Sequence, residues 1–294
     1  MNDPENDPVI EIPDTVASTD GVTLALHDLG GTGPLLLLCH ATGFCGRVWE
    51  PLAQVLAPHR RCVTFDFRAH GLSTRPVDRP MVWQGMAEDI LAVVDALSPD
   101  EPITAVGHSM GGTSLILAEG LRPGTIERAW TFEPILFGDG IPVSGHDSGA
   151  VQADPSEISQ AARNRRAVFS DRNEAYERYG SRPPLSLLDK RALRAYVDHG
   201  FGDLADGTVG LRCAPGDEAA IFEFHNSGAR RIVGEVAMGL TVAASGDGQV
   251  PAMAVLDAAA EFPNLDLVRY ENLSHFGPLE DPDLIGTDLL AWLS

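Results

Sequence analysis

Gly107-His108-Ser109-Met110-Gly111, followed by Gly112, is the stretch on which the reading of this chain turns. It follows Ile103 to Val106, an apolar run that reads as a strand, and it opens Met110 to Glu119, which reads as a helix. G-x-S-x-G between a strand and a helix is the context in which that spacing carries chemistry. The glycines permit a sharp, strained turn that holds the serine side chain clear of the backbone. The Ser109 hydroxyl then stands near a helix N-terminus, where N–H groups stabilise developing negative charge. The bland alternative is a Gly-rich turn that only packs helix on strand.

The same alternation continues outward. Val22 to Leu26 reads as an early strand and Gly30 to Gly33 as a turn. Leu35 to Cys39 is a continuous apolar run between turn signals, which suits a strand buried on both faces. Val48 to Leu56 has helical spacing, Arg61 to Phe67 reads as a strand, Met81 to Leu97 as a helix and Arg128 to Phe132 as a short strand. This order predicts a doubly wound α/β sheet. It stops near Phe137. From about Asp139 to Glu235 the spacing is helical or loop-like, with helices expected over Ser156 to Phe169, Leu185 to His199 (broken near Asp189) and Asp217 to Phe224. Alternation resumes with a strand at Leu240 to Ala244, a helix at Pro251 to Phe262, a strand at Leu267 to Tyr270 and a helix near Leu284 to Leu293. Residues 139–235 are therefore expected to form an insert in a domain built from 1–138 and 236–294. No internal repeat is visible.

Composition narrows the function. The chain has 294 residues, 44% hydrophobic and 21% charged, with 30 Gly and 21 Pro. That is a globular composition with ample core, not a fibre or a disordered chain. The net charge of −21 repels phosphate backbones and anionic lipid, so neither nucleic acid nor a membrane is an expected partner. Cys39, Cys45, Cys62 and Cys213 include no C-x-x-C pair and read as buried free thiols. The acidic, Pro-rich Met1 to Pro13 lacks the basic start and apolar core of a secretory signal, which leads to the expectation of a soluble cytoplasmic enzyme. No phosphate-binding loop, G-x-G-x-x-G or H-E-x-x-H is present, so neither a cofactor nor a metal is expected. A small-molecule substrate is the expected partner; homo-oligomerisation stays open.

Over almost its whole length the chain resembles the α/β-hydrolase family. The resemblance rests on the elbow at Ser109, on His40-Ala41-Thr42-Gly43-Phe44, on Asp66-Phe67-Arg68-Ala69-His70-Gly71-Leu72-Ser73, and on Ser274-His275-Phe276-Gly277-Pro278. It implies a mostly parallel eight-stranded sheet with helices on both faces, and a helical cap inserted after the sixth strand, over residues 139–235. It implies the chain order nucleophile, acid, histidine. A serine hydroxyl is a weak nucleophile without a base, and His275 stands in the loop where the family keeps that base.

The acid is expected at Asp247, after the strand at Leu240 to Ala244. The family pattern G-x-x-D-x-x-x-P fits there, with Ala244 in place of the first Gly. The rival is Glu133, where some branches of the family keep their acid; otherwise Glu133 would face the cap and bind substrate or an arginine. The oxyanion donors are expected to be the backbone N–H groups of Met110 and Thr42, with Ala41 where the family usually has Gly. His40 is expected to order that loop. His40, Phe44 and Trp49 are candidate pocket residues, although the aromatic pair would equally serve as packing. The Asp66 to Ser73 loop reads as scaffolding, His108 as structural, and Arg163 to Arg166 as a solvated helix face. His199 and His225 fall in the insert, and nothing in the sequence selects either.

The expected activity is that of a serine hydrolase cleaving a carboxylic-ester-like bond of a small molecule through an acyl-enzyme. The same residues could act on a lactone, an amide or an activated C–C bond, and the fold could instead serve a non-catalytic ligand receptor. Serine at the elbow argues against dehalogenase or epoxide-hydrolase chemistry, whose relatives carry Asp there.

Overall fold

Leu36 and Leu37 are adjacent in sequence, fully buried, and belong to different hydrophobic cores. That is the signature of a strand covered on both faces, since successive side chains point to opposite sides of a sheet. The computed structural model describes residues 11–137, 155–223 and 227–294. Its strands are β1 (Thr15–Ala17), β2 (Thr23–Asp28), β3 (Leu35–Cys39), β4 (Arg61–Phe65), β5 (Ile103–His108), β6 (Ile126–Phe132), β7 (Val168–Phe169), β8 (Phe201–Asp203), β9 (Val209–Leu211), β10 (Gly239–Ser245) and β11 (Asp266–Tyr270). Eight of them form one sheet in the order β1-β2-β4-β3-β5-β6-β10-β11. β1, β2 and β4 pair antiparallel, and from β4 to β11 every pairing is parallel.

The helices are α1 (Glu50–Leu56), α2 (Trp83–Leu97), α3 (Met110–Leu121), α4 (Pro155–Arg163), α5 (Arg172–Gly180), α6 (Lys190–His199), α7 (Pro215–Glu223), α8 (Ala229–Ile232), α9 (Val250–Glu261), α10 (Gly277–Glu280) and α11 (Pro282–Leu293). On one face of the sheet, α2, α3 and α9 bury Met86, Ile90, Leu115 and Val255 against Leu37, Val63 and Val242. On the other, α1 and α11 bury Leu52, Leu56, Ile285 and Leu289 against Leu36, Leu38 and Val106. Each such side chain contributes about 1.5–3 kcal/mol of hydrophobic transfer. This is an α/β-hydrolase sheet with helices around it, as the sequence led us to expect.

The segment between β6 and β10 leaves and re-enters the sheet between two hydrogen-bonded neighbours, for Phe132 pairs with Ala243. Within it, α4 to α8 accompany a small antiparallel sheet, β7-β9-β8. That sheet departs from the helical expectation, because strands of two or three residues carry no readable period. The helix expected to reach Phe169 ends at Arg163. The expected break near Asp189 is a helix start: its carboxylate accepts the Arg191 N–H and caps α6. The expected boundary at Asp139, the first ten residues and His225 lie outside the described residues. The four cysteines are buried and unbonded to one another. Among the described residues, no helix is long and apolar enough to cross a membrane.

Candidate active site

Ser109 joins β5 to α3 at φ 51°, ψ −113°, a conformation that L-residues rarely adopt. Its N–H donates to Phe132 O at 2.8 Å, which ties the elbow to the end of β6. The surrounding glycines serve close approach rather than unusual torsions. A Cβ on Gly107 would stand 2.5 Å from Gly112 N, and one on Gly111 would collide with the Cys39 carbonyl of β3. The elbow is thus wedged between two strands and a helix.

His275 lies between β11 and α10, and its Nδ1 is 2.6 Å from Glu133 Oε2. Glu133 follows β6 at φ 44°, with its side chain fully buried. Its other oxygen accepts the Ser245 N–H at 2.7 Å, and its own N–H donates to Ala243 O at 2.9 Å. The ring partner is therefore Glu133, and the expectation of Asp247 in that position is corrected. Asp247 Oδ2 accepts the backbone N–H of His275 at 3.1 Å. Its Oδ1 accepts from Ser245 Oγ at 2.8 Å and from the Gln249 N–H at 2.9 Å. The reason is local. The turn after β10 folds the short Asp247 side chain back onto nearby donors, as Asx turns do. The longer Glu133, from the neighbouring strand, reaches the ring.

The backbone of His275 is held from both sides. Asp247 takes its N–H, and its carbonyl accepts from His108 Nε2 at 2.7 Å. Burial holds the His108 imidazole well below its ordinary pKa, so it is a neutral donor. An imidazole fixed at Nδ1 by a carboxylate presents Nε2 as a base, which is what an adjacent serine needs.

The loop after β3 turns at residues 41–44, with the Phe44 N–H on Ala41 O at 3.2 Å and Gly43 at φ +80°. His40 Nδ1 donates to Ala41 O at 2.8 Å, while its Nε2 accepts the Phe67 N–H at 3.0 Å. His70 Nε2 accepts the Gly43 N–H at 3.0 Å, and its Nδ1 donates to Arg68 O at 2.9 Å. Both rings are wholly buried and neutral; burial takes the His40 pKa down to about 3 and lowers that of His70 as well. Among the described residues, neither the Thr42 N–H nor the Met110 N–H meets an acceptor. His40 and Trp49 are 0% exposed. Phe44 is in contact with the insert: its ring is 4.9 Å from Tyr196 and 6.1 Å from Phe276, which is itself 5.5 Å from the His275 ring.

Arg165 corrects the reading of residues 163–166 as a solvated face. It lies past the end of α4, and its Nη1 binds both Glu218 oxygens at 2.9 and 2.8 Å. Its Nη2 donates to Tyr196 Oη at 2.5 Å. A Cβ on Gly43 would stand 2.5 Å from Glu218 Oε1, so this part-buried pair rests on the turn after β3. Arg163 and Arg166 do make exposed pairs, with Glu223 and Glu174. His199 pairs with Glu50 at 3.4 Å. Asp66 accepts from Gly46 N, Leu72 N and His27 Nε2 and so braces its own loop.

The sequence profile described as alpha/beta hydrolase fold matches residues 34–200. The chain belongs to this family. The alpha/beta hydrolase is 34% identical over 125 residues to a protein named probable oxidoreductase EphD of Mycobacterium tuberculosis, across 41% of this chain and 20% of that protein. It is 32% identical over 105 residues to the putative carbamate hydrolase RutD of Caulobacter vibrioides, across 34% of this chain and 37% of that one. The match thus spans well under two thirds of these relatives. Among solved structures, E-2-(acetamidomethylene)succinate hydrolase superposes with a TM-score of 0.77 at 20% identity, covering 95% of this chain and 98% of that one, a likeness of fold.

Proposed function

We propose that this alpha/beta hydrolase is a serine hydrolase that cleaves a carboxylic-ester-like bond of a small molecule through an acyl-enzyme. The observation that carries the reading is the 2.6 Å contact between His275 Nδ1 and buried Glu133, the residue after Phe132, whose carbonyl accepts the N–H of Ser109 on its strained elbow at 2.8 Å. His275 Nε2 takes the Ser109 proton as Oγ attacks the carbonyl carbon. The carbonyl electron pair moves onto oxygen, which the Thr42 and Met110 N–H groups hold. The intermediate collapses, and His275 returns the proton to the departing alcohol. Water, deprotonated by His275, then attacks the acyl carbon, and Ser109 leaves with that proton. Glu133 fixes the ring's tautomer and stabilises the imidazolium between these transfers. Asp247 and His108 hold the backbone of His275. The insert acts as the cap, with Phe44, Tyr196 and Phe276 as an apolar wall.

Ser109→Ala is expected to lower turnover of an activated ester by at least about a thousandfold. A fluorophosphonate is expected to label the wild-type protein at Ser109, read by peptide mass spectrometry. Wild-type turnover in the variant, or a label elsewhere, would overturn the reading. The same residues serve amide and carbamate cleavage, and carbamate is the bond named for RutD. A panel of matched ester, lactone, amide and carbamate substrates separates them.

A further inference from the structure

We propose that His70 is a positioning residue for the oxyanion hole, fixing the aim of the Thr42 amide by holding the Gly43 N–H. This rests on the serine-hydrolase reading above. Thr42 lies between two peptide planes. The plane joining residues 41 and 42 is pinned by its carbonyl, which accepts from His40 Nδ1 at 2.8 Å and from the Phe44 N–H at 3.2 Å. In a trans peptide the N–H points opposite to the carbonyl, so Thr42 N–H is directed away from those donors. The plane joining residues 42 and 43 is pinned by its N–H, which donates to His70 Nε2 at 3.0 Å and also faces the buried Cys213 thiol. The Thr42 N–H belongs to the first plane, and the Gly43 anchor acts on it through the 41–44 turn, which closes with the Phe44 N–H on Ala41 O at 3.2 Å.

Without His70 that N–H is left to the Cys213 thiol, a weak acceptor, and its plane is tied to a glycine at φ +80°, the residue type that opposes rotation least. Electrostatic stabilisation of an oxyanion depends on donors already aimed before the charge forms. The anchor behind His70 is rigid. Its Nδ1 donates to Arg68 O, and the Arg68 guanidinium is locked to Asp89 of α2, with Nε on Oδ2 at 2.9 Å and Nη2 on Oδ1 at 2.8 Å. Arg68, Asp89 and His70 are all fully buried. The order of support is thus α2, Arg68, His70, Gly43, Thr42.

The two ring nitrogens can be tested apart. Asn places an amide nitrogen near Nδ1 and restores only the bond to Arg68 O. Gln places a carbonyl oxygen near Nε2 and restores only the acceptor for Gly43. On an activated ester, His70→Asn is expected to lower kcat by about tenfold to a hundredfold with KM little changed. Its affinity for a trifluoromethyl ketone, which forms the oxyanion adduct, is expected to fall in step. His70→Gln is expected to recover most of both losses. The proposal is overturned if H70N keeps wild-type kcat and ketone affinity, or if H70N and H70Q fall alike, since the side chain would then serve the loop as a whole. A readout free of mutation is scalar coupling across the hydrogen bond between Gly43 N and His70 Nε2 in labelled wild-type protein; its absence overturns the proposal even if a variant misfolds. Failure of the serine reading is visible separately, as absent phosphonate labelling of the wild type.

Discussion

Ala69 sits at φ 62°, where a side chain is disfavoured and glycine is not. Ala69→Gly is therefore expected to raise stability by about 0.5–1 kcal/mol, part of the relief being offset by the freedom glycine gives the unfolded chain. Urea denaturation at fixed pH measures it, and a loss of stability would contradict the strain. Two other residues with positive φ, Ser109 and Glu133, stand where the chemistry is proposed, which is where backbone strain is retained. The sequence made Ser109 and His275 legible through their motifs. It favoured Asp247 over Glu133 as the acid, and the structure instead puts Glu133 on the His275 ring. The deciding facts are the backbone turn at Glu133 and the local hydrogen bonds that occupy Asp247, and neither leaves a residue pattern.

At the scale of elements, the strands that were legible are those with apolar runs between turns, such as Leu35–Cys39. β1, β7, β8 and β9 were not, because two or three residues give no periodicity to read. The loops after β3 and β4 are joined by two neutral histidines, His40 and His70, whose rings meet edge-on at 5.1 Å. A buried histidine held neutral lets the unfolded chain bind protons that the folded one refuses. Its contribution to stability is present at high pH and is lost as pH falls below about 6.5, the ordinary value, toward the lowered folded value. For His40 that loss continues down to about pH 3. Replacing one such group should flatten the dependence: between pH 7.5 and 5.0 the melting temperature of His70→Gln is expected to fall less than that of the wild type. An equal or steeper fall in the variant would contradict the neutral assignment.

At the scale of the whole molecule, the site is assembled from segments that only the sheet order brings together. Ser109 follows β5, Glu133 follows the neighbouring β6, Asp247 follows β10 beside it, and His275 follows β11 at the edge. Family membership and strand–helix alternation made that convergence legible, but not the division of labour between its two carboxylates. Glu133 binds the ring and Asp247 the backbone of the same histidine. The direct test is kcat/KM for an activated ester in Glu133→Gln and Asp247→Asn, measured beside the wild type with melting temperatures as a control for folding. Glu133→Gln is expected to lose about a thousandfold to ten-thousandfold, the scale seen when a triad acid is made an amide, and Asp247→Asn no more than about thirtyfold. A loss in Asp247→Asn equal to or larger than that in Glu133→Gln would contradict the account.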